Sequence, residues 1–122
     1  SRAHLQHLLQ GERGERLLTL ATTLSEDFYN TLAEFCKAQA HPKRLMILHI
    51  LAEGEKSVSE LVEQLAINQS TVSQHLAFMK RTGVVKSRRV GNTVYYSLTD
   101  PRIAEACSII SQVVRERLAT KK

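Results

Sequence analysis

The chain has 122 residues, 43% apolar and 24% charged, the makeup of one ordinary globular domain around one core. Seventeen Lys and Arg against twelve Asp and Glu leave a net charge of +5, unevenly placed: residues 1–60 hold seven basic and eight acidic side chains, residues 61–122 ten and four. That asymmetry points to a polyanion-binding surface in the second half, and two cysteines are too few for a disulfide scaffold.

The longest apolar run, Leu45 to Ala52, is interrupted by His49 and is far shorter than the ~20 residues that cross a bilayer. No membrane partner is expected. The first residues show no basic region followed by an apolar one, so no secretory signal is expected either. Cys36 and Cys107 are too far apart for a CxxC motif. The expectation is a cytoplasmic protein.

Residues 1–24 carry Leu5, Leu8 and Leu9 at helical spacing, then Gly11 and Gly14, and read as an arm or extra helix ahead of a domain over 25–119. His4 and His7 stand at i, i+3, but a lone pair of imidazoles falls short of a metal site, and none is expected. Ser25 before Glu26 and Asp27 reads as an N-cap with acids in the first turn. Phe28, Leu32, Phe35, Cys36 and Gln39 then recur at helical spacing, predicting a helix over about 26–39. His41-Pro42 restarts the chain, and Leu45, Met46, Ile47, Leu48, Ile50 and Leu51 predict a largely buried helix to about Ala52.

Gly54 ends that helix, and Ser57-Val58-Ser59-Glu60 opens a short one through Leu65. Only Ala66-Ile67-Asn68 separates it from the next helix, which Asn68 caps and which runs to about Thr82. A connection that tight joins the two members of a helix–turn–helix unit. Beyond Gly83 the pattern alternates. Gly91-Asn92 as a hairpin turn pairs Arg89 with Val94, Ser87 with Tyr96 and Val85 with Leu98, leaving Lys86, Arg88, Val90, Thr93, Tyr95 and Ser97 on the opposite face. Asp100-Pro101 starts a last helix, about 101–119, with Ile103, Cys107, Ile110, Val114 and Leu118 in one stripe. The fold class is therefore mainly α with a two-stranded β-wing, a winged helix–turn–helix with a helix on either side.

On the second helix of the unit, Val72, Leu76 and Met79 cluster in one direction while Ser70, Gln74 and Arg81 lie opposite. Gln74 can bond bidentately to adenine, and Gln69, Ser70, Thr71 and Ser73 can reach base edges or phosphates at a helix N-terminus. Such a helix alone is more often an ordinary solvated surface. Its neighbours weigh against that: Lys80, Arg81, Lys86, Arg88 and Arg89 form a stretch without an acid, and basic side chains there can follow phosphates or enter the minor groove. Asn92, Thr93 and Tyr95 complete the candidate DNA-binding set on the wing. His75, at the edge of the apolar direction, reads either as a packed boundary residue or as a phosphate contact, and Tyr96 reads as core.

The stretches 40–48 (AHPKRLMIL), 68–76 (NQSTVSQHL) and 89–98 (RVGNTVYYSL) resemble the ArsR/SmtB family of dimeric winged-helix repressors, and the resemblance covers about Glu26 to Leu118. It implies a homodimer built through the N- and C-terminal helices, binding to double-stranded DNA at an inverted-repeat operator, and release by a small effector. It does not bring a sensor site. Where arsenic-sensing members carry cysteines this chain has Ser57 and Ser59; where zinc-binding members carry ligands it has Asp100, Arg102, Val113 and Glu116, two imidazoles short of a selective site. Where persulfide-sensing members place thiols it has His49 and Arg115. Cys36 and Cys107 remain, each on an apolar stripe, either as buried small hydrophobes or as a redox-sensing pair.

The function expected is a homodimeric, sequence-specific DNA-binding repressor without a cofactor. The alternative, a winged-helix protein-interaction or dimerisation module, calls for a neutral or acidic wing, which this chain lacks. No catalytic constellation supports an enzyme.

Overall fold

The protein is described by a computed structural model over residues 14–16 and 25–120, so the expected arm, with His4 and His7, lies almost wholly outside the described residues. The elements in chain order are α1 (Glu26–Lys37), α2 (Pro42–Ala52), β1 (Lys56–Ser57), α3 (Val58–Leu65), α4 (Gln69–Arg81), β2 (Val85–Val90), β3 (Thr93–Leu98) and α5 (Arg102–Ala119). Residues from Lys37 onward form a compact unit of their own, and α1 up to Cys36 belongs to the unit before it.

Within α1, the Ser25 hydroxyl accepts the Phe28 N–H at 3.2 Å, the expected N-cap. No residue of α1 is buried. The helix stops at Lys37, two residues short of expectation, because the chain turns there. The Ala40 N–H closes on the Lys37 carbonyl at 3.0 Å, and the Arg44 guanidinium donates to the Ala38 carbonyl. Ala38 and Gln39 are thereby buried outside any helix.

The core of the second unit is made by α2, α3, α4 and the strand ends. Ile47, Leu48, Leu61, Val72, Leu76, Met79 and Val84 are all at 0% exposure. Pro42 opens α2, where its missing N–H costs nothing, and the His41 imidazole Nδ1 accepts the Lys43 N–H at 3.1 Å. Only Ile47, Leu48 and Leu51 of α2 are buried, while Leu45 and Met46 are exposed. The expectation of a largely buried helix is thus corrected to a half-buried one: α2 has one face on this core and another turned outward.

A reciprocal capping box starts α3. The Ser57 hydroxyl accepts the Glu60 N–H at 3.1 Å, and the Glu60 carboxylate accepts the Ser57 N–H at 3.0 Å. Those same bonds hold the Glu60 carboxyl below the usual carboxylate range. Ala66 ends the helix in the left-handed region, φ 55°, ψ 38°, a conformation that L side chains resist and that the tight turn into Asn68 requires. Asn68 Oδ1 then caps α4 on the Thr71 N–H at 2.8 Å.

The hairpin register is the expected one, Val85 opposite Leu98, Ser87 opposite Tyr96, Arg89 opposite Val94. Gly91 alone takes positive φ in the two-residue loop, at 62°, which matches a turn with glycine at its first central position. The two-stranded wing stands, and a further strand not expected from the sequence, β1, joins it in a sheet of order β1-β3-β2, with Lys56 opposite Tyr96 and Ser57 opposite Tyr95. A strand of two residues has no periodicity to read. Thr99 ties the end of β3 back, its hydroxyl donating to the Gly83 carbonyl at 2.7 Å.

At the head of α5 the Asp100 carboxylate accepts the Arg102 N–H at 2.9 Å and pairs with the Arg102 guanidinium at 2.7 Å, which pulls the Asp100 carboxyl down to about 2. Only Ala104 of α5 is buried. No described helix is long and apolar enough to cross a membrane.

Leu76→Ala should lower unfolding free energy by about 2–5 kcal/mol, the range for opening a cavity at a fully buried leucine. Urea denaturation checks this, and a loss under about 1 kcal/mol would contradict the position of Leu76 at the centre of the core.

Candidate nucleic-acid interface

The rotation of α4 about its axis is set by what it buries. Val72, Leu76 and Met79 have no exposed surface, and Ser70, Ser73, Gln74 and Ala77 are exposed. The face carrying Gln74 therefore points away from the protein, with Gln69 exposed at the N-terminus and Thr71 partly covered. The Thr71 N–H is used by the Asn68 cap, which leaves fewer free N–H groups at this end than the sequence suggests.

The C-terminal turn of α4 is fastened to the wing. Lys80 Nζ donates to the Ser87 hydroxyl at 2.8 Å, a direct bond between the reading-helix candidate and β2. Arg89 shares the Ser87 face of β2 by strand alternation and enters no salt bridge among the described residues. At the tip, Gly91, Asn92 and Thr93 are all exposed.

Arg88 is placed differently from the free cation that sequence reasoning takes it for. Its guanidinium makes a two-pronged ion pair with Glu55, 2.7 and 2.6 Å, and lies 5.2 Å from the centre of the Tyr95 ring. The bond to Arg88 holds the Glu55 carboxyl below its ordinary range. Glu55 is thirty-three positions away in the chain, so no local pattern could reveal it. Lys86 lies on the same outer face and remains exposed. The Arg88 charge is already offset, so Lys86 and Arg89 carry more of the wing's net positive field.

His75 is half-buried, and its ring meets that of His41 with centroids 4.6 Å apart. Burial, and then the charges of His41 and Arg44, push the His75 imidazole below its ordinary value. The geometry sides with the packed-boundary reading. One turn further on, Arg44 and Arg81 both sit over the Phe78 ring, at 4.6 and 5.2 Å. This cluster joins the N-terminus of α2 to α4, and sequence reasoning missed it because its members come from two helices.

The buried setting expected for both thiols is not found in the single chain. Cys36 is exposed and Cys107 half-buried, because the apolar stripes they belong to are turned outward. The Cys107 thiol donates to Gln39 Oε1 at 3.7 Å. No cluster of three or more potential metal ligands occurs among the described residues.

A helix–turn–helix whose second helix turns a polar face outward, locked to a basic hairpin, defines a winged helix–turn–helix DNA-binding domain. The chain belongs to the arsR family of bacterial regulatory proteins, whose model matches residues 41–87. It is 41% identical over 100 residues, 78% of this chain and 88% of that protein, to the uncharacterised HTH-type transcriptional regulator Rv0081 of Mycobacterium tuberculosis. The crystal structure of Rv0081 matches with a TM-score of 0.70 over 80% of this chain and 98% of its own, at 40% identity. The transcriptional repressor BigR of Xylella fastidiosa matches with a TM-score of 0.66 at 36% identity, over 72% of this chain and 90% of its own. The homodimeric winged helix-turn-helix DNA-binding domain of Mb0332 from Mycobacterium bovis also reaches 0.66, at 30% identity over 89% and 91%. The family is one of transcriptional regulators, not of enzymes.

Because the His75 imidazole is held below the ordinary value of about 6.5, the unfolded chain takes up its proton before the folded one as pH falls. Stability is full above that ordinary value and declines as pH drops toward the lower folded value. His75→Gln should lose less stability than wild type between about pH 7.5 and 5.5, measured by urea denaturation at each pH. Parallel losses in the two proteins would refute the lowered titration of His75.

Proposed function

We propose that the protein works in the cytoplasm as a homodimeric repressor that reads an inverted-repeat operator and is released by a small effector. The observation that carries this reading is the orientation of α4: three core side chains at zero exposure force Gln74 and Ser70 outward beside the basic hairpin. In this reading Gln74, Ser70 and Ser73 meet base edges, Gln69 and Thr71 meet phosphate at the helix start, and Lys80, Arg81, Lys86 and Arg89 follow the backbone. Asn92, Thr93 and Tyr95 border the same duplex from the wing, and Arg88 stiffens its base through Glu55. His75 supports α4 from behind.

The dimer is supported by α5, where Ile109, Ile110, Val113, Val114 and Leu118 are 44–64% exposed in the single chain. An apolar surface of that kind calls for a partner, and the homodimeric Mycobacterium bovis domain is a precedent. Two reading helices then address half-sites about one helical turn, ~10 bp, apart. The basic wing speaks against a module that binds only protein.

Sedimentation at micromolar concentration should give a dimer, and a palindromic site should bind far tighter than a single half-site. A monomer, or equal affinity for both DNAs, contradicts the proposal.

Gln74→Ala should cost about 1–3 kcal/mol on the preferred operator and relax selection at one base pair. Arg89→Ala should weaken binding to all sequences alike and reduce the salt slope by about 0.9 for each phosphate it no longer neutralises. Arg88→Ala should change that slope less than Arg89→Ala, since the Arg88 charge is already paired. A randomised-site selection unchanged by Gln74→Ala would show that another face of α4 reads the DNA.

A further inference from the structure

The stretch from Gln64 to Thr99, which carries the reading helix and the whole hairpin, holds Lys80, Arg81, Lys86, Arg88 and Arg89 and not one carboxylate. Whatever offsets the charge of the wing has to come from outside it, and one acid does. Glu55 stands just ahead of β1, and β1 is carried to the wing by its pairing with β3: Ser57 lies opposite Tyr95, and Tyr95 lies opposite Arg88 in the hairpin. That row brings the Glu55 carboxylate to the Arg88 guanidinium. Both carboxylate oxygens are engaged, one accepting from Arg88 Nε at 2.7 Å and the other from Nη2 at 2.6 Å. The other ion pair among the described residues, Asp100 with Arg102, is local to the head of α5.

The Arg88 side chain is 59% exposed, so a phosphate can approach it. Arginine offers carboxylate and phosphate the same two-pronged geometry, so moving to a phosphate only replaces one such contact by another. It also strands the Glu55 carboxylate beside the DNA backbone, like charge against like. That carboxylate is ionised at neutral pH, since the Arg88 hydrogen bond, and then the charges of Arg88 and Lys86, hold it below its ordinary range. The balance leaves Arg88 on Glu55 when DNA binds.

We propose that Glu55 is a positioning residue that withholds Arg88 from the DNA backbone, so that the wing makes one phosphate contact fewer than its cations allow. This rests on the reading of the wing as an element that borders DNA. The consequence is a limit on sequence-independent affinity. Phosphate contacts supply nearly all of non-specific binding, so a wing with Arg88 free would hold any duplex more tightly without reading it better.

Glu55→Gln removes the charge and keeps the size. The full chain is titrated with operator and with a scrambled duplex over a range of salt. Glu55→Gln should bind both about fivefold tighter at ~0.15 M salt, the counterion release for one phosphate, and steepen the log–log salt slope by about 0.9. The same substitution in an Arg88→Ala background should give less than half that gain in slope, because only the loss of a repelling carboxylate remains. A purely structural role for Glu55 would not produce a slope that depends on Arg88. Weaker binding by Glu55→Gln would make the ion pair a support for DNA binding and overturn the proposal. An equal gain with and without Arg88 overturns it too, leaving Glu55 a plain repelling charge. The wild type decides without any variant: the NMR resonance of the Arg88 Nε–H, set by its bond to Glu55, should keep its position when operator is added, and its displacement would put the guanidinium on phosphate. A wild type that binds no duplex sinks the repressor reading and this proposal with it. Operator binding whose salt slope falls with Arg89→Ala but is untouched by Glu55→Gln sinks this proposal alone.

Discussion

Three side chains of α4, Val72, Leu76 and Met79, bury completely against α2, α3 and the start of the sheet, and this burial constrains everything the domain can do with DNA. Each is worth roughly 1.5–3 kcal/mol relative to exposure, so turning the helix by even one position would lose several kcal/mol. The polar residues at the opposite side of the helix are held outward by the same energy. Recognition chemistry is thus positioned by apolar packing, and the αL turn at Ala66, φ 55°, is the local strain that lets α3 and α4 meet at the required angle.

Electrostatic contacts then sort the basic residues into two kinds. Lys80 and Arg88 are engaged within the protein: Lys80 joins α4 to β2 through Ser87, and Arg88 joins β2 to the segment ahead of β1 through Glu55. Both contacts are exposed, so each contributes modestly to stability; their main effect is to limit how the wing can be aimed. Arg89 and Lys86 are left with their charge toward solvent, which is where a phosphate backbone would find it.

The helix α2 faces two ways. Its buried residues Ile47, Leu48 and Leu51 belong to the core, its first turn leans on α4 through His41 and Arg44, and Leu45 and His49 look into an open cavity beside α5.

Much of this was legible in the sequence, because its signals are local. Caps at Ser25, Ser57 and Asn68, Pro42 at a helix start, the period change after Gly83 and the turn at Gly91-Asn92 each depend on residues a few positions apart. They sufficed for the winged helix–turn–helix, the hairpin register and the outward face of α4. What tertiary structure alone decided involves partners distant in sequence. The strand at Lys56–Ser57 exists only because β3 offers it an edge, and Arg88 is paired only because Glu55 arrives beside it. The His75 imidazole is pushed below its ordinary value by burial and then by the charges of His41 and Arg44, which come from far earlier in the chain, and the α2–α5 cavity takes its walls from residues more than fifty positions apart. Periodicity reports which way a side chain points along its own element; which group waits there is settled only when the elements pack.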